Sequence, residues 1–363
     1  MYRIRNYDDC SVIARQFRIA GKIMECKPIQ GGLINKTYFI KTSANKYILQ
    51  LINQNVFHDI DLLMNNIVSV SHHLYGKGYY GIKVVKTQKG EYYLPTNTGQ
   101  YWRMYLYIDD TYTINSIRTS KDARNYGSVI GNFLIQMIGL DESMIHDPIP
   151  NFHDTRSRYN NFIRSLEKDS RNRAQLITEE IKYLIDQWDF IDWVCCALEN
   201  ESINNGIIHN DVRINNVLFD VKTDEPVCLI DYDTIMKGKR IFDFCDGFRF
   251  ATTYDTLEYE SPSKVKIDLD LAHSYIYGYW KICGKHINED ESNVAISCSR
   301  LLTLENGMRL LTDYLNGDVY FSTDYPSQNL IRWKRHRQLL DDIDMKQHLL
   351  ESIVKEVSHH VFD

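Results

Sequence analysis

The chain has 363 residues, 44% hydrophobic and 25% charged, which fits two globular domains or one two-lobed one and excludes a disordered or collagen-like chain. Forty-two Lys and Arg against 48 Asp and Glu leave a formal charge of −6, so there is no bulk attraction for nucleic acid or anionic lipid. No run approaches the ~18 apolar residues of a membrane span, and no apolar stretch follows Met1-Tyr2-Arg3-Ile4-Arg5.

In chain order, Gln30-Gly31-Gly32-Leu33-Ile34-Asn35-Lys36-Thr37 comes first as a candidate phosphate contact. The Gly31-Gly32 pair lets backbone amides approach an anion, but Gln30 and Asn35 stand where a Walker A motif needs glycines, and a plain turn fits equally well. Thr37 to Lys41 and Lys46 to Leu51 are β-prone runs joined by the turn Thr42-Ser43-Ala44-Asn45. Leu62, Leu63, Ile67, Val70 and Leu74 then recur at helical spacing from Asp61 to Tyr75. Short strands are expected at Ile82 to Lys86, Glu91 to Leu94 and Tyr101 to Ile108, with a boundary near 108–113.

Beyond that boundary the pattern turns helical. Helices are expected at Asp122 to Leu140, Ile177 to Leu198, Asp268 to Lys281 and 295–315, with one or two more over Gln328 to His359. Asp154 or Thr155 can cap a helix running toward Leu166. Arg332-Trp333-Lys334-Arg335-His336-Arg337 reads as a solvated helix face. One β-prone island, Ile207 to Asp233, interrupts the helices. A β-rich lobe (1–108) followed by a larger helical lobe (109–363) is the layout of an α+β, protein-kinase-like fold. The cysteines 10, 26, 195, 196, 228, 245, 283 and 298 form no C-x-x-C pair, so zinc modules are disfavoured. They are expected as free, mostly buried thiols in a reducing, cytoplasmic compartment.

The island carries the chemistry. It reads His209-Asn210-Asp211-Val212-Arg213-Ile214-Asn215-Asn216, then Ile230-Asp231-Tyr232-Asp233. A carboxylate at the start of a loop can accept a proton from an attacking hydroxyl. An Asn five residues on and an Asp on the partner strand can share one Mg²⁺, which needs few protein ligands because it keeps waters and takes phosphate oxygens. A metallohydrolase built on His209, Asp211, Asp231 and Asp233 is the competing reading, and a merely polar hairpin the plainest one.

These motifs resemble the aminoglycoside-phosphotransferase and choline-kinase-like superfamily, and within it the N-acetylhexosamine 1-kinases. The resemblance covers nearly the whole chain. It includes Phe152-His153-Asp154-Thr155, Asp231-Tyr232-Asp233-Thr234-Ile235-Met236, Phe242-Asp243-Phe244 and the C-terminal block from Leu302 through Arg309, Asp313 and Tyr320 to Leu330. It implies ATP- and Mg²⁺-dependent phosphorylation of the anomeric hydroxyl of an N-acetylhexosamine. Asp211 is then the base, Asn216 and Asp231 the metal ligands, with His209 and Asp233 in support. Asp211, Arg309, Tyr320 and Phe250 meet the sugar; Gly31, Gly32, Leu106, Tyr107 and Ile108 meet the nucleotide. The alternative for Arg309 is a surface ion pair with Asp313, four residues on. Typical kinases place a Lys on the third strand, paired to a helix Glu. Here Gln50 holds that position and the following helix offers Asn65, Asn66 and Val68. Leu33 stands where the closer relatives carry a His. The expected partners are a sugar and ATP, with no nucleic acid and no membrane, acting on a monomer. Open alternatives are a kinase for another sugar, an amino alcohol or an aminoglycoside, and a pseudokinase that only binds.

Overall fold

The computed structural model describes residues 7–29 and 34–362. Helix α1 (Tyr7–Ala14) precedes an antiparallel sheet of β1 (Ile23–Ile29), β2 (Lys36–Thr42), β3 (Lys46–Leu51), β4 (Lys83–Val84), β5 (Leu94–Pro95) and β6 (Tyr101–Leu106). The strand order is β1-β2-β3-β6-β4, with β5 also on β6. Residues alternate between faces with period two. Leu49 of β3 with Trp102 and Met104 of β6 bury one face in a small core that also takes Ala14, Phe17 and Ile40. Gln50 and Arg103, in register on neighbouring strands, point to the other face with Ile48 and Tyr105. Helix α2 (Ile60–Gly76) covers part of that face through Leu63, Ile67, Val70 and Leu74.

The first sheet ends at Leu106, and the next strand, β7 (Thr111–Tyr112), pairs with a hairpin far along the chain. Helices α3 (Ser120–Met137), α4 (Thr155–Lys168), α5 (Thr178–Ile185) and α6 (Trp188–Leu198) follow. The helix expected over 177–198 is thus two helices, broken at Asp186-Gln187. Strands β8 (Asn205–Ile208) and β11 (Met236–Lys239) pair and enclose the hairpin β9 (Val217–Asp220) and β10 (Pro226–Leu229). Then come α7 (Phe242–Ala251), α8 (Leu269–Cys283), α9 (Glu289–Asn316) and a single long α10 (Gln328–Phe362). Helices α3 and α8 approach so closely that a Cβ on Gly127 would lie 2.2 Å from the Tyr275 carbonyl oxygen, and one on Gly278 2.1 Å from that of Arg124. Among the described residues no helix is long and apolar enough to cross a membrane.

Two expectations are corrected. Cys10 and Cys26 are joined in a disulfide, with their Cα atoms 6.5 Å apart, because α1 packs beside β1. Cys228, Cys245, Cys283 and Cys298 are free and buried as expected. The basic segment of α10 is not a solvated face. Arg332, Trp333, Arg335 and His336 are buried, Arg337 is half-buried and only Lys334 is exposed. Helix α10 lies along α9, and Arg332 and Arg335 pin the irregular segment 252–268: Arg332 pairs with Glu258 at 3.0 Å, and Arg335 donates to the Thr256 carbonyl at 3.0 Å.

Candidate functional site

The hairpin β9–β10 and the loop before it form the floor of a cleft of about 630 Å³, in the usual range of small-molecule sites. The loop is held from behind. Asp243, near the start of α7, accepts from the backbone N–H of His209 and of Asn210, both at 2.8 Å. Burial pushes the Asp243 pKa up, against these two hydrogen bonds and His209. Asn210 takes a left-handed φ of 65° and its side-chain amide donates to the Thr234 carbonyl at 2.9 Å. The His209 ring is fully engaged: Nε2 donates to the Ile230 carbonyl at 3.0 Å, and Nδ1 accepts from the Asp211 N–H at 3.4 Å. It therefore fixes loop to hairpin and has no lone pair left for a metal, which removes the metallohydrolase arrangement.

These tethers aim Asp211 into the cleft, with its carboxylate about one-third exposed and 3.7 Å from the Arg213 guanidinium. Asn216 donates from Nδ2 to the carbonyl and to Oδ2 of Asp211, at 2.9 and 3.2 Å, which leaves its Oδ1 for another partner. The Ile230 N–H donates to the Asn216 carbonyl at 2.8 Å, so Asn216 and Asp231 flank one hydrogen bond of the hairpin. Asp231 takes a φ of 67°, an uncommon conformation for a residue with a side chain. The residue as a whole is exposed toward the cleft, while its carboxylate is crowded by protein groups. Burial, with the Asp233 and Asp211 carboxylates adding to it, pushes its pKa up to about 7, while Arg103 and Arg213 pull the other way. A cation beside Asp231 would relieve that strain. An amide oxygen and a carboxylate are a donor set that suits Mg²⁺. Among the described residues no cluster of three or more His, Cys, Asp or Glu could hold a metal.

Asp233 has a different job. Arg103 grips both its oxygens, Nη1 at 2.5 Å from Oδ1 and Nη2 at 2.7 Å from Oδ2, and Asn35 Nδ2 donates to Oδ2 at 2.6 Å. Both partners come from the N-terminal sheet region, so Asp233 ties that region to the hairpin. On α2, Asn66 donates to the carbonyls of His146 and Ile235. The helix position that lacks a Glu thus holds the helix to the turn after Asp233.

Ile48 and Ile82 from above and Leu218 and Ile230 from below give the cleft one apolar end. Leu106, Tyr107 and Ile108 border it. The Tyr107 N–H is taken by the Lys46 carbonyl at 3.1 Å. Gly31 and Gly32, like Leu33, lie outside the described residues.

The opposite end is cationic and aromatic. Arg309 of α9 lies 5.4–5.8 Å from the ring centres of Phe152, Tyr320 and Phe321. Among the described residues it has no ion-pair partner. Asp313, its alternative partner, instead accepts from the backbone N–H of Val319, Tyr320 and Phe321 at 2.9–3.0 Å and from Asn329, clamping the loop that presents Tyr320. Phe152 is placed by its neighbours: His153 and Thr155 hydrogen-bond the two oxygens of the buried Glu305 on α9. Burial raises the Glu305 pKa, but His153 and Thr155 outweigh it and hold the carboxylate ionised. Asp154 caps α4. Phe250 does not line the cleft; its ring lies 3.9 Å from the Arg249 guanidinium, and Arg249 faces the cleft in its stead.

Three cleft residues, Arg249, Arg332 and His336, are not assigned to the site from the sequence. Arg249 is paired to Asp246 at 2.9 Å, and Arg332 to Glu258. The third, His336, is held neutral, its pKa pushed down to about 3 by burial and by Arg249. Its Nδ1 donates to the Arg332 carbonyl at 2.8 Å, and Nε2 has no hydrogen-bond partner. In sequence Arg332 and His336 sit in a basic run, and only the packing of α10 turns them inward.

The architecture has solved counterparts. A microcompartment-associated aminopropanol kinase aligns over 95% of this chain and 99% of its own with a TM-score of 0.61 at 14% identity. Choline kinase from Cryptosporidium parvum aligns over 99% and 100% with a TM-score of 0.60 at 14% identity. A spectinomycin phosphotransferase, solved with ADP and spectinomycin, aligns over 93% and 100% with a TM-score of 0.52 at 14% identity. At these identities the likeness shows the fold, a small antiparallel-sheet lobe on a larger helical one. Residues 25–275, from the first sheet through the loop, the hairpin and α7 into α8, match the model of the phosphotransferase enzyme family, and the chain belongs to that family.

Proposed function

We propose that this protein is an ATP- and Mg²⁺-dependent kinase that phosphorylates the anomeric hydroxyl of an N-acetylhexosamine, GlcNAc or GalNAc. The observation that carries the acceptor class is Arg309, a guanidinium without a carboxylate partner at an aromatic-lined end of the cleft. Arg249 and Arg332 there are balanced by Asp246 and Glu258, so Arg309 leaves net positive charge. An ammonium-bearing acceptor is repelled by such a surface, whereas the hydroxyls and amide carbonyl of a neutral sugar find guanidinium donors and ring faces at Tyr320 and Phe152. A second reading, a kinase for a small amino alcohol, is compatible with the names of two solved neighbours, which at 14% identity carry it no further.

Adenine fits the apolar end, with its edge toward the backbone of Leu106 and Ile108. Asp211 orients the acceptor hydroxyl and takes its proton as the oxygen bonds to the γ-phosphorus and the bond to the ADP oxygen breaks. Asn216 and Asp231 hold Mg²⁺, which when bound neutralises charge on the triphosphate. Positioning does most of the work. A phosphorylation assay across free sugars and amino alcohols, with product position read by phosphorus NMR, tests the reading. The expected product is an N-acetylhexosamine 1-phosphate; turnover of choline or aminopropanol with no sugar product overturns it.

A further inference from the structure

Gln50 stands on β3 where typical kinases carry the lysine that meets the α- and β-phosphates, and its neighbours dictate how its carboxamide faces. Arg103, in register opposite Gln50 on β6, donates from Nε to Gln50 Oε1 at 2.9 Å. The amide oxygen is thereby turned toward Arg103 and the nitrogen away from it. Nε2 donates one N–H to Thr37 Oγ1 at 3.1 Å. A carboxamide nitrogen has two N–H groups, and among the described residues no hydrogen bond uses the second. Gln50 and Thr37 line the cleft beside Asp231 and Asp233.

Arg103 lies one layer behind. It is fully buried and does not face the cleft. Its remaining nitrogens hold Asp233, as described above, so one guanidinium fixes both the third-strand amide and the second aspartate of the hairpin motif. A cation bound at the carbonyl end of an amide draws electron density toward the oxygen and makes the N–H groups better donors.

We propose that Gln50, oriented and polarised by Arg103, donates its second N–H to a phosphate oxygen of the bound nucleotide, and that the Arg103–Asp233 pair takes over the lobe-tying part of the usual lysine–glutamate pair. The cation has moved one strand across the sheet, and its carboxylate partner sits on the hairpin instead of the helix. Arg103 is a positioning residue, and Gln50 makes the contact. Asp233, with both oxygens engaged, is not a metal ligand. The inference rests on the nucleotide half of the proposed function and is independent of the acceptor.

The test is ADP and ATP binding to the full chain by titration calorimetry, with magnesium and without acceptor, alongside thermal melting. Gln50→Leu removes the donor, and binding weakens by about tenfold or more, the loss expected for one hydrogen bond to a charged group. Gln50→Glu gives Arg103 a stronger acceptor, so the melting temperature holds or rises while nucleotide binding falls at least as far. Arg103→Lys keeps a charge on Asp233 but cannot hold both partners. It raises the nucleotide Kd and leaves the acceptor KM unchanged. If Gln50 only braces Arg103, Gln50→Leu melts lower yet binds ADP within about twofold of wild type; that result overturns the inference. A wild-type chain that binds neither nucleotide overturns the kinase reading itself, and the inference with it.

Discussion

The two ends of the cleft are built by different means. The nucleotide and transfer end is made from strands and one hairpin; its loop residues are braced from within the loop and hairpin, His209 by Ile230 and Asn216 by Asp211, while Asp233 and Gln50 are held by Arg103 of the first sheet. The acceptor end is assembled from Phe152, Arg249, Arg309, Tyr320, Arg332 and His336, which sit on three helices and two loops. Carboxylates hold it together: the buried Glu305 for Phe152 through His153, the buried Asp313 for the loop carrying Tyr320, and the partly exposed Glu258 for Arg332. Transfer chemistry is compatible with a local motif, whereas acceptor recognition needs a surface wide enough to touch several groups at once. Damage at the first end is therefore expected in kcat or in nucleotide affinity, and damage at the second in acceptor KM.

The largest effect should come from Asp211→Asn. It keeps shape and removes the base, so kcat falls by about 10²-fold or more, while binding of Mg·ATP changes little. A folded variant with near-normal kcat under saturating substrates leaves the transfer end without its base. Next is Asp313→Ala, far from the transfer chemistry. It releases three backbone N–H groups and lets Tyr320 and Phe321 drift, and a misplacement on the scale of 1 Å costs about 10²-fold in kcat/KM for the acceptor. Nucleotide affinity should hold, and equal losses for both substrates would merge the two ends into one.

Arg309→Ala should be milder, with acceptor KM rising by about tenfold through loss of one charged hydrogen-bond donor and with ATP affinity unchanged. The effect on kcat reports how far that contact tightens in the transition state.

The smallest effect is on stability against pH in the absence of metal. Burial of its carboxylate and the neighbouring Asp233 and Asp211 push the Asp231 pKa up from 3.8 to about 7 in the folded chain. Between those values the folded state binds more protons than the unfolded one, so this group lowers stability as pH rises through the window and adds no further slope above it. Melting curves should show wild type losing stability relative to Asp231→Asn from about pH 4 to 7, with saturating magnesium reducing the difference. Parallel curves would mean that Asp231 is not strained by its carboxylate neighbours.

The amino-acid sequence alone carried the lobed α+β layout, because β-prone runs and helical apolar spacing are local properties. It also carried the loop-and-hairpin motif of Asp211, Asn216, Asp231 and Asp233, because those residues are neighbours along the chain as well as in space. It showed the missing third-strand lysine but not what stands in for it: Gln50 and Arg103 are 53 residues apart, and Arg103 and Asp233 are 130 apart. Only strand register and lobe packing bring those three together. The same holds for Arg332 and His336, whose basic run looks solvated until α10 is laid along α9, and for the Cys10–Cys26 bond. A buried charge is identified by what surrounds it, and its surroundings here come from distant parts of the chain.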